Sequence, residues 1–480
     1  MDTTDNNVTS NNIDEIENGV DSSSDCNEKR MSGTSNSSEY RPLNSFDTDD
    51  IDERGRRTVL GINRKALLSF SVVALVALAI IVLTVVFVVQ NDSAKDKTNT
   101  KEKREEYRYQ FDDMFNGYFY VKRPDEKWIS DNTVLREDKE NILEYNVNSN
   151  KSVVLFSKAT LMDLGIDFKD YKTISPDRKW MLFVVEEKQK YRYSTVGEYF
   201  AVNKETHEVV NISTQGSDSL SPIQYISWGE SQNSLVFVSG NDIYWMESVE
   251  RPNAIRITSN GKEKILFNGI PDWVYEEEIL GTRPSIVISP DDKHLCFASF
   301  NDTEVPLFKI ALYGKPPTAY TRIQDIAYPK PGTRNPSVHI YIYDTKSGKT
   351  TELKPPADIR DSDYYFTNLI WASSQTVSVT WMNREQTMSI VMLCKADNGH
   401  CSENHKLVVD NGWVDQNYPD PLFSADGSYY IQLLPKNEGP DVGDFLHVAK
   451  VPSNKNDVQF LTEGRWEVKK IASFDQRNEI

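Results

Sequence analysis

The sequence predicts an all-β fold, a β-propeller. A single transmembrane helix and a disordered tail precede it. Three observations carry this expectation. The composition changes abruptly along the chain, short strands of alternating hydrophobicity fill its larger part, and a degenerate turn-and-strand unit recurs through those strands. The 480 residues are 38% hydrophobic and 11% aromatic, with 23 Tyr, 20 Phe and 9 Trp. Such rings suit a pleated, half-buried sheet surface.

Residues 1–65 form the expected cytoplasmic tail. Its first 53 residues hold 14 acidic and 3 basic side chains and almost no large apolar ones. A segment of that kind cannot bury enough surface to offset its ordering entropy. A basic cluster follows: Arg54, Arg56, Arg57, Arg64 and Lys65. Residues 66–89 (ALLSFSVVALVALAIIVLTVVFVV) are apolar without interruption. A bilayer core needs roughly 20 such residues in a helix, so this run predicts a signal-anchor span. It lies too far from the N-terminus for an ordinary cleaved signal peptide.

Residues 90–106 are charged and are expected to form a stalk. Lys95, Lys97, Lys101, Lys103 and Arg104 nearly balance the basic residues before the span, so the positive-inside count leaves orientation open. Downstream chemistry decides it. Asn150, Asn211 and Asn301 each begin an Asn-x-Ser/Thr glycosylation pattern. Cys394 and Cys401 flank Asp-Asn-Gly and read as a disulfide at a hairpin tip, which needs an oxidising compartment. The expected arrangement is therefore type II at the plasma membrane, with the N-terminus inside and the large domain outside. Cys296, in HLCFASF, reads as a buried strand thiol.

Residues 107–480 are the expected propeller. Runs such as SVVLFS, WMLFVVEE, SLVFVSG, VHIYIYD and VSVTWM are bounded by Asp, Asn, Gly and Pro. The recurring unit appears at Ser175, Ser227, Ser289, Trp371 and Ser424, spaced by roughly 50 to 80 residues. Repeats of about this size, each with about four strands, mark propeller blades.

Several functions are excluded. A net charge of −18 argues against nucleic acid. The four cysteines form no CxxC pair, and there is no Gly-rich phosphate loop or His-Glu-x-x-His. Neither a metal nor a cofactor is expected. No Gly-x-Ser-x-Gly elbow occurs, so no catalytic residue is assigned. The six histidines lie on strands and turns without partner spacing and read as structural.

One segment breaks the β texture: GIPDWVYEEEIL, Gly269 to Leu280. A solvated acidic turn is the plain reading. The sharper one is an ammonium receptor, because neighbouring carboxylates can share the three donors of a peptide's α-amino group.

Together with FNDTEVPL, YPKPGTRNP and LTEGRWEVKKI, this segment resembles the dipeptidyl peptidase IV family of the prolyl oligopeptidase superfamily. The resemblance covers roughly residues 60 to 480. It implies a type II membrane glycoprotein whose eight-bladed propeller, incomplete at the C-terminal end in this chain, serves an α/β-hydrolase domain, removing dipeptides that carry proline or alanine second. It also implies that Glu277 and Glu278 hold the substrate's amino terminus. YRYSTVGEYF is similar to the family's Tyr-Arg-His-Ser stretch, so Arg192 would contact the substrate's backbone carbonyl. Tyr193 departs from the usual His. In NGWVDQNYPDP, Asn417 and Tyr418 stand where the family has an extended-pocket Phe-Arg.

The resemblance implies a hydrolase domain after the propeller, and the Ser, Asp and His of its charge relay are not in this chain. Two classes of function follow. One is the substrate-selecting part of a dipeptidyl aminopeptidase. The other is a non-catalytic accessory subunit of voltage-gated potassium channels, a branch that VSVTWMNREQTMSIVMLC and the close cysteines also resemble. Arg192 favours the first. A homodimer is expected under both, through the Ala311 to Pro336 stretch, which the resemblance makes a protruding arm that its prolines leave poorly paired.

Overall fold

The computed structural model describes residues 77–86, 109–116, 118–119, 126–166, 171–214, 221–314, 320–415 and 420–476. They divide into two units, residues 1–120 and 121–480. In the first, residues 77–86 are helical with exposed apolar side chains. Most of the expected span lies outside the described residues, and among those described no helix is long and apolar enough to cross a membrane. A short 3-10 turn, Phe111–Met114, is tied by the amide of Gln110 to the carboxylate of Asp113 at 2.7 Å.

Among the described residues, the second unit holds six larger antiparallel sheets in chain order and a two-stranded arm inserted in the fourth. The first spans residues 127–157, the second 171–212 and the third 225–256. The fourth joins Leu266–Asn268 and Ile286–Ile288 to His294–Asn301, Ser337–Asp344 and Thr350–Leu353. The fifth spans 364–408 and the sixth 422–460. In all but the fourth, the four strands pair strictly in sequence order. This is the meander that short turn-bounded strands form when each connection is a hairpin.

Alternation within strands joins the sheets to one another. In Trp180–Gln189, the residues Trp180, Leu182 and Val184 pack with Ile226, Leu235 and Phe237 of the third sheet. Met181 and Phe183 point the other way and pack with Leu135, Ile142 and Phe156 of the first. The strand Leu235–Ser239 repeats the device. Leu235 and Phe237 face the second sheet, and Val236 and Val238 face the fourth. Successive side chains leave a strand on opposite faces, so a run apolar at every position serves two cores at once.

In the second, fourth and sixth sheets the recurring unit is a hydrogen-bonded turn between two successive strands. Ser175 Oγ donates to Asp177 at 2.7 Å and accepts from the amide of Trp180. Ser289 does the same with Asp291 and His294, and Ser424 with Asp426 and Tyr429. The following turn needs a left-handed residue, supplied by Arg178, Asp292 and Gly427. One expected member is displaced. Ser227 lies inside its strand, and Gly229 holds the serine's place, its amide donating to the carbonyl of Ser234. A Cβ at Gly229 would meet Ser234 Oγ at 2.1 Å and Asp292 at 2.9 Å, so no side chain fits.

That crowding has a purpose. Asp292 of the fourth sheet reaches the third and accepts hydrogen bonds from the amides of Glu230, Ser231 and Gln232 and from the Ser231 hydroxyl. Tryptophans make comparable links. Trp228 donates its indole N–H to the Thr173 carbonyl of the second sheet, and Trp371 donates to the Val287 carbonyl of the fourth.

The arm differs from expectation. Leu307–Leu312 and Arg322–Ala327 pair in six consecutive rungs, and residues 315–319 at the tip lie outside those described. Pro306, Pro329 and Pro331 lie outside the paired residues, where no ladder donor is needed. Cys394 and Cys401 are joined by a disulfide between paired positions of the fifth sheet, and Cys296 is fully buried in its strand.

Charge-assisted hydrogen bonds to buried donors are each worth about 1.5–3 kcal/mol. Asp292→Asn, which keeps a residue tolerant of positive φ, is expected to destabilise the domain by about that amount in urea denaturation. An unchanged midpoint would contradict the role of this carboxylate as an inter-sheet clamp.

Candidate functional site

Two loops from different sheets meet at the acidic segment. The first is the tip of a long hairpin in the second sheet, residues 190–194, between Trp180–Gln189 and Thr195–Asn203. The hairpin passes the third sheet, where Gly197 pairs with Ile223 through backbone hydrogen bonds in both directions. A Cβ at Gly197 would lie 2.6 Å from Val184 Cγ2 on the hairpin's other strand, so the hairpin itself leaves no room for a side chain there.

The second loop is the acidic segment itself. The Asp272 carboxylate accepts the amides of Val274 and Tyr275 and starts a single π-helical turn, Tyr275–Leu280. Gly281 ends it in the left-handed conformation, at φ 60°. Tyr275 is fully buried, and its ring packs on Phe300 at 4.7 Å and Phe366 at 5.4 Å. This anchor fixes the rotation of the turn and therefore the direction of the three carboxylates.

Each glutamate then has a different task. Glu276 is buried and accepts the amides of Tyr193 and Ser194, both at 2.8 Å. Glu277 accepts the Arg192 amide at 3.0 Å through one oxygen and the Arg192 Nε at 3.0 Å through the other. Its side chain is 11% exposed, whereas that of Arg192 is 68% exposed. Glu278 is exposed beside them. An exposed ion pair contributes at most about 1 kcal/mol. The buried carboxylate-to-amide bonds of Glu276 are therefore the stronger tie between the two loops.

Arg283 adds a second tie. It donates to the Thr195 hydroxyl and lies 3.9 Å from Glu187, which is also paired with Lys172 at 2.5 Å. Burial works to raise the Glu187 pKa, but the Lys172 and Thr195 hydrogen bonds and both cations hold it below the ordinary value. Between the loops lies a small cavity lined by Tyr191, Ser194, Thr195, Gln224, Glu276 and Arg283.

The structure thus brings Arg192 and Glu277 into contact, although they are 85 residues apart in sequence, and leaves Glu278, the next residue in the chain, exposed. Asn417 and Tyr418 lie outside the described residues. Asn150 is exposed and left-handed, accepting from the Tyr145 hydroxyl, and Asn301 accepts from Thr303. Asn211 is half-buried in an edge strand. Sequence reasoning missed Glu276, Asp272 and Arg283. The run of three glutamates was the available signal, but nothing local distinguishes the buried member from the exposed one. Among the described residues, no group of His, Cys, Asp and Glu side chains could hold a metal ion.

Successive antiparallel sheets, five of them four-stranded meanders, with a polar site between sheets, define a β-propeller domain. Residues 175–480 match the family model described as the dipeptidyl peptidase IV (DPP IV) N-terminal region, and the chain belongs to that family. Inactive dipeptidyl peptidase 10 of Mus musculus is 31% identical over 421 residues, covering 86% of this chain and 51% of that protein. Dipeptidyl peptidase 4 of Sus scrofa is 30% identical over 410 residues, covering 82% and 51%. Prolyl endopeptidase FAP of Mus musculus is 32% identical over 409 residues, covering 83% and 51%. The chain spans about half the length of these relatives. The crystal structure of Porphyromonas gingivalis dipeptidyl peptidase 4 superposes with a TM-score of 0.68 at 20% identity, covering 76% of this chain and 51% of that one, a likeness of fold.

Glu276→Ala leaves the Tyr193 and Ser194 amides without their acceptor. Amide hydrogen exchange at residues 191–195 is expected to accelerate at least tenfold while the sixth sheet is unchanged. Equal protection in the variant would show that Glu276 does not hold the hairpin.

Proposed function

We propose that this propeller domain selects peptides by their free amino terminus, presenting them to a serine hydrolase domain whose residues are not among these 480. The observation that carries the reading is the contact of Arg192 with Glu277 beside an exposed Glu278. The Glu277 carboxylate is oriented by a backbone amide and needs no rearrangement to accept a cation. An incoming α-ammonium with three donors bridges Glu277 and Glu278. Arg192 keeps its guanidinium largely in solvent, free to donate to the carbonyl of the peptide's first residues. By likeness to the family, the second residue is proline or alanine. The six sheets belong on this reading to an eight-bladed ring, and the paired arm Leu307–Ala327 serves a homodimer contact.

The domain is carried as a type II plasma-membrane glycoprotein, anchored by residues 66–89 and modified at Asn150, Asn211 and Asn301. The length and apolarity of the run support this. Alkaline carbonate washing of cell membranes is expected to leave the full chain in the pellet, and deletion of 66–89 to release it. Extraction of the intact chain would refute the anchor.

A second reading rests on the 31% identity to a relative named as inactive. It makes the chain a non-catalytic accessory subunit of a voltage-gated potassium channel, with the anchor and tail as the contact. An unaltered channel current on co-expression would remove it.

The amino-terminus reading is tested with the tripeptide Ala-Pro-Ala and its N-acetylated form. The full chain is expected to bind the free peptide at least tenfold more tightly, and the double variant Glu277→Gln/Glu278→Gln to lose that preference. Equal binding of both peptides, or equal affinity of variant and wild type, would discard the receptor.

A further inference from the structure

Beneath the glutamate turn lie two more carboxyls, Asp272 and Asp302. Asp272 is 0% exposed and Asp302 5%. Their surroundings differ. Asp272 accepts the amides of Val274 and Tyr275. Asp302 follows the strand His294–Asn301, and its backbone is fully used, the amide donating to Ile265 and the carbonyl accepting from Val305. Its two carboxyl oxygens are buried with no hydrogen-bond partner among the described residues. An ionised carboxylate in such a place carries a desolvation cost of several kcal/mol with nothing to offset it, so the neutral acid is favoured.

The facing groups come from every neighbouring element. Lys190 and Tyr191 face the pair from the second-sheet hairpin, and Glu263 and Lys264 lie near Lys190 from the loop before Leu266–Asn268. Tyr275 and Glu276 face it from the turn, and Tyr364 and Tyr365 act on Tyr275 from the fifth sheet. Lys190 is the cation acting on Asp302, but its ammonium lies near the rings of Tyr191 and Phe267 and makes no ion pair within 4 Å among the described residues. Burial, with the Asp272 charge added and Lys190 opposing, pushes Asp302 up to about 9. Burial pushes Asp272 up to about 7 against the pull of its two amides, with Glu276 adding to the rise. Burial also lowers Lys190 and raises Tyr191 to about 12. Burial favours a proton on both acids, and at Asp302 the absence of donors among the described residues adds to it.

We infer that Asp272 and Asp302 are positioning residues that hold a proton beneath the acidic turn, and that losing it loosens the turn from the Arg192 hairpin. The consequence for peptide binding rests on the amino-terminus reading; the proton itself does not. The sign follows from linkage. The folded state keeps protons that the unfolded chain releases near the ordinary carboxyl pKa. The contribution to stability is therefore full below about pH 4 and declines as pH rises through about 7 and 9.

Thermal unfolding of the full chain from pH 5.5 to 9.5 reads the proton directly. The wild-type midpoint is expected to fall across this range, and Asp302→Asn, a neutral isostere, to remove at least half of the fall. Asp272→Asn, which keeps an acceptor for the two amides, is expected to flatten the profile in the same direction and serves if the first variant does not fold. A wild-type slope retained in the folded variants would overturn the proposal.

Binding of Ala-Pro-Ala by wild type and variant at the same pH is the second measurement, because titration of the peptide cancels in the ratio. The affinity of Asp302→Asn relative to wild type is expected to rise at least threefold between pH 6 and 9. A constant ratio with measurable binding would overturn the link to the turn. If neither protein binds the peptide, the amino-terminus reading fails, and the thermal profile still decides the proton.

Discussion

The constraint on which the structure depends is that each sheet has two apolar faces and cannot bury both alone. The strand Trp180–Gln189 places Trp180 and Leu182 in one core and Met181 and Phe183 in another. Leu235 to Val238 divide in the same way between the next two cores. Stability is therefore shared between neighbours, as in other repeat architectures. Polar links follow the same geometry. Asp292, Trp228 and Trp371 each satisfy hydrogen bonds on the adjacent sheet rather than their own.

Neighbour packing also explains how a site forms from distant segments. The hairpin tip of the second sheet passes the third and reaches the fourth, where Glu276 receives its amides. The contact depends on Tyr275, whose buried ring orients the turn. The position of Glu277 and Arg192 is thus supported by residues buried beneath them. Glu276 is the clearest case, a glutamate whose full burial is offset by two directed amides.

Much of the fold was legible before the coordinates. Period-2 runs and Ser-x-Asp turns announced strands and hairpins, because both signals act over a few residues. The turns at Ser175, Ser289 and Ser424 follow this local chemistry. Ser227 was misplaced because its neighbour Gly229 fills the serine position. The reason lies in another sheet, where the Asp292 carboxylate occupies the space a side chain would need. The prolines of the arm suggest poor pairing, but none of them lies within the six paired positions of its two strands.

The sequence by itself determined the class of structure, the acidic segment and the residue types able to meet a cation, since propensity, turn chemistry and charge are local properties. It also held the family resemblance that singled out Glu277, Glu278 and Arg192. Only the tertiary structure decided which glutamate is buried, that Arg192 meets Glu277, and that Asp302 lies without donors. Those outcomes depend on contacts between segments tens of residues apart, where the burial of one group is set by how two neighbouring sheets pack.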